Sequence, residues 1–417
     1  MPRADVVVIG AGLAGLSCAA ELAEAGASVF LAAKGIATTH WTHGGLDVAA
    51  PHGARTPRDG VASLARTDGH PYQRLASDAD PAVVAHLART DAEGLAHVGS
   101  LADPLTPIPT PVGALRPAAI LPNAQAGALE PWGATGLVVV GFRRYPDAWP
   151  AYAARNLAAG TWPNGPSEIR AVDVDLPDLD RLHNLGPQVL ARAFDDAAWR
   201  ARALAAIGAA IPSGDWRIGA PTVLGLDRHV EAHAAAEAAL GRRVFEIPSL
   251  PPSVPGMRLF EALRRRILAR RGRIQIGFDI VSVETDGPRV VAVHTEAASR
   301  TLRLAADAFV LATGGIAGAG IRAEPDGTLV ERVFGLPVAA PDREAWFSDD
   351  PLQLHPLEAA GIEVNDDLAP AEIENVRVIG SALPGMHYLD QRCGDGVALA
   401  SAHRAARSLE RPRPVAA

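Results

Sequence analysis

A glycine pattern set between a strand and a helix constrains this chain more than any other feature. Val6 to Ile9 is an unbroken apolar run, as expected of a strand buried on both faces. Gly10-Ala11-Gly12-Leu13-Ala14-Gly15 follows, and Leu13 to Ala25 then places Leu16, Ala19, Ala20 and Ala23 on one helical face. In such a GxGxxG turn the first glycine permits the tight reversal and the second lets a phosphate reach the backbone. The third lets the helix pack closely on the strand. Free N–H groups and the positive dipole end of the helix then face the anion. Gly26 stands where a helix C-terminal glycine belongs, and Ser28 to Ala33 reads as the second strand of a βαβ opening.

In a dinucleotide site, an acid about 20 residues further on, ending the second strand, holds the adenosine ribose. That place is Ala33 here, followed by Lys34 and Gly35, and the nearest acids, Glu21 and Glu24, lie within the helix. Two readings stay open. One is FMN, which lacks that ribose, with its phosphate on the helix and on Lys34, the only lysine of the chain. The other is FAD held through backbone contacts. Phe309 to Gly315, with Ala312, Thr313 and Gly314, resembles the strand-Ala-Thr-Gly-Gly segment of flavoproteins. Val376 to Gly380 with Ser381, followed by Cys393-Gly394-Asp395-Gly396-Val397, resembles their C-terminal segment, where a helix N-terminus faces the flavin ring. Such a dipole favours negative charge on the ring.

Thr38-Thr39-His40-Trp41-Thr42-His43-Gly44-Gly45 lies where this flavoprotein class presents a loop to the flavin, and Gly44 and Gly45 permit close backbone approach. In relatives of succinate dehydrogenase, a histidine six residues before the Gly-Gly carries the flavin covalently. Thr38 stands there, so the flavin is expected to be noncovalent.

At 417 residues the chain is long enough for two joined domains. The expected fold class is α/β: a Rossmann-like flavin-binding domain, residues 1–46 and 256–417, with an inserted α/β cap domain, residues 47–255. In the insert, stretches near Pro104–Pro111 and Gly160–Pro166 read as long loops between alternating strands and helices. Beyond it, Leu259 to Arg271 reads as helix, and residues 274–276, 280–284 and 290–295 read as short antiparallel strands. Gly394 to Leu409 reads as the last helix and Arg411 onward as a disordered tail.

Net charge is −8 without acidic or basic blocks, which argues against nucleic acid as a partner. Cys18 and Cys393 are the only cysteines, too few for an iron–sulfur cluster, and no metal site is expected. A first strand starting near Asp5 leaves no room for a signal peptide, and charges interrupt every apolar run before it reaches about 18 residues. A cytoplasmic protein is expected.

Taken with these segments, Ile247-Pro-Ser-Leu-Pro-Pro-Ser-Val-Pro-Gly-Met-Arg-Leu259 resembles the B-subunit family of anaerobic glycerol-3-phosphate dehydrogenase, within the succinate dehydrogenase/fumarate reductase-like class. His70-Pro71-Tyr72, the Gly-Gly-Leu-Asp47 loop and residues 176–182 match in the same order, over nearly the whole chain. The loop Pro384–Arg392 departs from the glycine-rich form of that family. The resemblance implies an assembly of three different subunits. A catalytic subunit holding FAD oxidises sn-glycerol 3-phosphate, the B-type chain holds noncovalent flavin assigned as FMN, and an iron–sulfur subunit makes the membrane contact. The chain itself would then lie at the inner face of the cell membrane only through a partner. Electrons reach quinone and dihydroxyacetone phosphate is formed. Two alternatives remain: a self-sufficient flavin oxidoreductase of another small hydroxy substrate, and a non-catalytic assembly subunit with structural flavin.

No acid–base pair is pinned by spacing, so catalytic residues stay unassigned. His43, like His40, is a candidate proton carrier or a plain loop histidine. Arg258 is either an anion fork or a structural arginine. His387, beside Tyr388, is a proton-transfer candidate or a packing residue.

Overall fold

A computed structural model describes residues 3–179, 185–297 and 300–410. The chain opens with β1 (Ala4–Ile9), α1 (Leu13–Glu24) and β2 (Val29–Ala33). Every residue of α1 from Leu13 to Ala23 is buried. Small side chains make this possible, because Cys18, Ala19, Ala20 and Ala23 let neighbouring elements close on the helix from all sides. Gly15 has no alternative: a Cβ there would collide with the Gly10 carbonyl and lie 3.2 Å from the Ala312 Cβ.

Helices α2 (Pro57–Leu64) and α3 (Tyr72–Asp91) come next. Strands β3 (His97–Val98), β4 (Thr106–Pro109), β5 (Leu115–Ala118) and β6 (Leu121–Pro122) form two small antiparallel ladders, β3 with β6 and β4 with β5. A second α/β unit follows: β7 (Gly136–Phe142), α4 (Pro150–Ala159), β8 (Ile169–Val174), α5 (Pro187–Asp195), α6 (Ala197–Ala210), β9 (Trp216–Pro221), α7 (His229–Leu240) and β10 (Val244–Ile247). Its sheet is parallel, in the order β10-β9-β7-β8.

Helix α8 (Val254–Ala269) leads back to the first sheet through β11 (Arg273–Ile276), β12 (Asp279–Asp286), β13 (Arg289–Ala297) and β14 (Arg300–Leu311). After the hairpin of β15 (Ile321–Ala323) and β16 (Leu329–Glu331), the chain ends in β17 (Val376–Val378), α9 (Tyr388–Gln391) and α10 (Gly394–Leu409). The first sheet runs β11-β2-β1-β14-β13-β12, with β17 also on β14. Strand β14 serves two functions. Its first half pairs antiparallel with β13, and its second half runs parallel to both β1 and β17.

Several expectations need correction. The boundary at residue 47 cuts through the first core, because Val48, Val61, Leu64, Tyr72 and Leu75 pack with β1 and α1. The second core gathers Val138, Val140, Phe194, Leu204 and Ile218 around the second sheet. The Pro104–Pro111 stretch is not all loop, since an edge hairpin tolerates prolines that a central strand would not. Strand β11 is parallel to β2 rather than antiparallel. Helix α8 starts at Val254 instead of Leu259, because the Ser253 side chain caps it by accepting from the Gly256 N–H. The tail from Arg411 lies outside the described residues.

Gly15→Ala is expected to destabilise the protein by roughly 1–3 kcal/mol, the usual cost of forcing an atom into a packed contact. A shift of the denaturant midpoint at unchanged slope measures it.

Candidate functional site

Parallel pairing brings distant turns to one level. Ile9 pairs with Leu311 and with Ala32, and Leu311 pairs with Val378. The residues that follow these paired positions, Gly10, Ala312, Ile379 and Ala33, therefore emerge together at the carboxyl edge of the sheet, where open α/β sheets bind ligands. Gly10 holds φ +116 and faces the Ala312 carbonyl so closely that a Cβ would collide with it. Gly380, at φ +70, would put a Cβ 2.9 Å from the Ala14 Cβ, and the Gly315 N–H donates to the Ser381 hydroxyl at 3.2 Å. Gly314 faces that hydroxyl too, its Cβ position 3.4 Å away. Ala11, Leu13 and Ala14 are buried packing residues, whereas a Cβ on Gly12 would meet only Ala37, at 3.7 Å.

The start of α1 has no side-chain cap and no acid in its first turn, so its leading N–H groups keep their donor capacity. The Thr313 and Thr39 hydroxyls are buried with no hydrogen-bond partner among the described residues. Donors and hydroxyls left over in this way fit a phosphate-bearing ligand at the edge.

The loop through Thr42, His43, Gly44 and Gly45 is held from three sides. The Ser253 N–H donates to the His40 carbonyl at 2.7 Å, and the Ser253 hydroxyl donates to the Thr42 carbonyl at 2.5 Å. Gln125 donates to the His43 carbonyl at 2.7 Å, and His97 Nε2 reaches the Gly44 carbonyl at 3.1 Å. Gly256 packs against Thr39 with no room for a Cβ. The proline-rich segment 247–259 is thus the clamp of this loop. His97 and Gln125 went unnoticed in the sequence, because each is a lone polar residue with no spacing to mark it.

The C-terminal segment departs from expectation. The Asp395 and Gly396 N–H groups both donate to the Asp47 carbonyl at 3.1 Å, so the first turn of α10 is occupied by the chain itself. Gly396 packs against the Tyr72 hydroxyl and the Val48 carbonyl, and Val397 is fully buried; of the four expected residues, only Gly394 keeps an open approach. The Asp395 carboxylate accepts from the Asp47 N–H at 2.9 Å, and Arg116 grips the Asp47 carboxylate. Burial, and then the neighbouring Asp47 charge, push Asp395 up to about 7.

Other expected contacts are also occupied. Lys34 is exposed and paired with Asp279 at 2.7 Å, which draws it from a phosphate. Gly35 is exposed beside it, and the Ala33 carbonyl accepts from the Gly277 and Phe278 N–H groups, both at 2.9 Å. Arg258 is buried and fully engaged, with Glu246 at 2.6 Å and the Gly225 carbonyl at 3.0 Å. It ties α8 to the second sheet and is no anion fork. Burial pushes His43 down to about 4, leaving it neutral at physiological pH and a weak base. His387 lies 3.7 Å from Glu358, too far for a hydrogen bond. Cys393 is buried, with His70 Nε2 at 3.8 Å, and burial pushes its thiol up to about 12. The Tyr72 N–H donates to His70 Nδ1, which explains the His-Pro-Tyr signature as an internal brace.

Comparison with known proteins gives the family. Residues 5–397 match the FAD binding domain family. A Halobacterium salinarum protein, named as the probable B subunit of anaerobic glycerol-3-phosphate dehydrogenase, is 32% identical over 426 residues, covering 97% of each chain. The B subunit from Pectobacterium atrosepticum is 31% identical over 429 residues, covering 99% of this chain and 100% of the other. The chain belongs to this B-subunit family. It is part of a flavin-dependent oxidoreductase, as the resemblance implied. Among solved structures it is similar to 3-ketosteroid delta1-dehydrogenase from Sterolibacterium denitrificans, with TM-score 0.42, 11% identity, and 98% and 100% of the two chains covered.

The buried charges lead to two expected outcomes. Glu246→Ala leaves the Arg258 guanidinium buried without its carboxylate and should cost about 3–5 kcal/mol in unfolding free energy. Asp395 has a folded pKa above its unfolded value, so the native state binds the extra proton between roughly pH 4 and 7. Wild-type stability should therefore fall, relative to Asp395→Asn, as pH rises through that window; parallel pH profiles of the two proteins would contradict this.

Proposed function

We propose that this chain is the flavin-carrying subunit of an anaerobic glycerol-3-phosphate dehydrogenase. It takes part in oxidising sn-glycerol 3-phosphate to dihydroxyacetone phosphate, and the electrons pass to quinone. The convergence of the turns at 10–15, 312–315 and 380–381 carries this reading, together with near-complete alignment to relatives of the B-subunit family. When bound, the flavin supplies reversible two-electron chemistry. The residues of this chain bind and orient it: α1 through its leading N–H groups, Thr313 and Thr39 through their hydroxyls, and the Gly44–Gly45 loop through its backbone.

FMN is the proposed cofactor. No carboxylate ends β2, and Asp279, the acid that reaches this edge from β12, is engaged by Lys34 at 2.7 Å and Arg332 at 3.7 Å. That pairing supports a ligand ending at the phosphate. The second-sheet unit is the proposed cap, joined to the flavin unit through Arg258 and Glu246. The proposed partners are a catalytic subunit holding FAD, which oxidises the substrate, and an iron–sulfur subunit, which makes the membrane contact. Among the described residues no helix is long and apolar enough to cross a membrane, and no cluster of three metal-ligating side chains occurs. An electron-relaying role is favoured over self-sufficient oxidation because Arg258, singled out in the sequence as a possible anion fork, is spent on Glu246.

Acid release of the cofactor followed by chromatography should yield FMN; FAD would overturn the argument from β2. In anaerobic titration, the isolated chain should keep its flavin oxidised with glycerol 3-phosphate and bleach only when the FAD-holding partner is added. Bleaching without a partner would point to self-sufficient oxidation, and flavin that never reduces during turnover to a structural cofactor.

A further inference from the structure

His97 reaches the flavin loop from outside any motif. Its Nε2 lies 3.1 Å from the Gly44 carbonyl, which can only accept, so Nε2 carries the hydrogen. Its Nδ1 faces the Thr90 hydroxyl at 3.2 Å. Burial holds the imidazole down at about 4, so the ring is neutral and Nδ1 keeps its lone pair for that hydroxyl. The ring orientation that makes the Gly44 contact leaves Nδ1 facing the Thr90 hydroxyl, whose one proton is shared between that nitrogen and the His86 and Leu87 carbonyls, each at 3.1 Å. A cavity of about 150 Å³ lies beside this hydrogen bond, lined in part by Gly44, His97, His229 and Arg258.

The consequence lies on the opposite edge of the peptide. In a trans peptide, the carbonyl and the following N–H point in opposite directions. Fixing the Gly44 carbonyl toward His97 therefore aims the Gly45 N–H away from His97. Gly44 and Gly45 are buried, and the Gly45 N–H has no partner among the described residues. An orphaned buried amide is rare and points to a ligand acceptor. Gly44 sits at φ +94, a conformation that most side chains avoid, so the peptide is held in a setting that depends on glycine and on an external anchor.

We infer that His97 is a positioning residue for the flavin: it locks the Gly44–Gly45 peptide so that the Gly45 N–H is presented to the bound cofactor. This rests on the proposed flavin site. His97 itself touches no cofactor and moves no proton; it acts through the peptide. Its environment is built for that purpose from α3, which supplies Thr90, and from the segment leading into β3.

The test compares His97→Leu, His97→Gln and Thr90→Val with wild type, each loaded with the same flavin. His97→Leu removes the donor, and flavin affinity should fall roughly tenfold, the scale of one hydrogen bond. The visible absorption bands and midpoint potential of the remaining bound flavin should shift as well. A glutamine amide N–H can occupy the place of Nε2–H, so His97→Gln should restore the spectrum and potential. Thr90→Val keeps the imidazole but frees its orientation, and should give a smaller change in the same direction as His97→Leu. An unchanged spectrum, potential and affinity in His97→Leu would overturn the inference and leave the flavin site standing. Equal changes in His97→Leu and His97→Gln would also overturn it, because they would mark a packing role. Wild-type protein that takes up no flavin would overturn the site and this role together.

Discussion

The functional architecture depends on the parallel register of β1, β14 and β17. Because Ile9, Leu311 and Val378 lie level, three turns distant from one another in the chain leave the sheet at the same height and on the same edge. None of the turns could form a site alone. Gly10, Gly315 and Gly380 then let the turns close on one another, since a side chain at any of them would meet backbone or Ala14. The core beneath, with Val7, Val8, Phe309 and Val310 fully buried, keeps that register from slipping.

A second constraint couples the two sheets. Helix α8 begins where the second unit ends, and its first turn grips the loop from Thr39 to Thr42 through Ser253 and Gly256. One turn further on, Arg258 reaches back to Glu246 on β10. The same helix therefore fixes the loop and ties the second unit to it. The buried ion pair is better read as a device for orientation than as a gain in stability, because desolvating both charges offsets much of their attraction.

Legibility followed the range of the interaction. The βαβ opening, the Ala-Thr-Gly-Gly turn and the final helix were readable because their signals are local: periodicity, glycine spacing and apolar runs. The fate of Lys34 and Arg258 was not, since Asp279 and Glu246 arrive from elements whose position no local pattern specifies. Helix α3 escaped notice because its buried face mixes Leu75 and Val83 with Asp78 and His86, and Pro81 interrupts it. His97 and Gln125 were invisible for the same reason: only the folded chain brings them to the Gly44–Gly45 loop. The N-terminus of α10 was misjudged because the Asp47 carbonyl, more than three hundred residues away in the chain, takes its N–H groups.

Hydrogen–deuterium exchange of the flavin-free and flavin-loaded chain tests the convergence most directly. Loading should protect residues 10–15, 42–45, 312–315 and 380–381 together, with the second sheet little changed. Protection confined to the first of these segments, or spread over the second sheet instead, would contradict a single shared site.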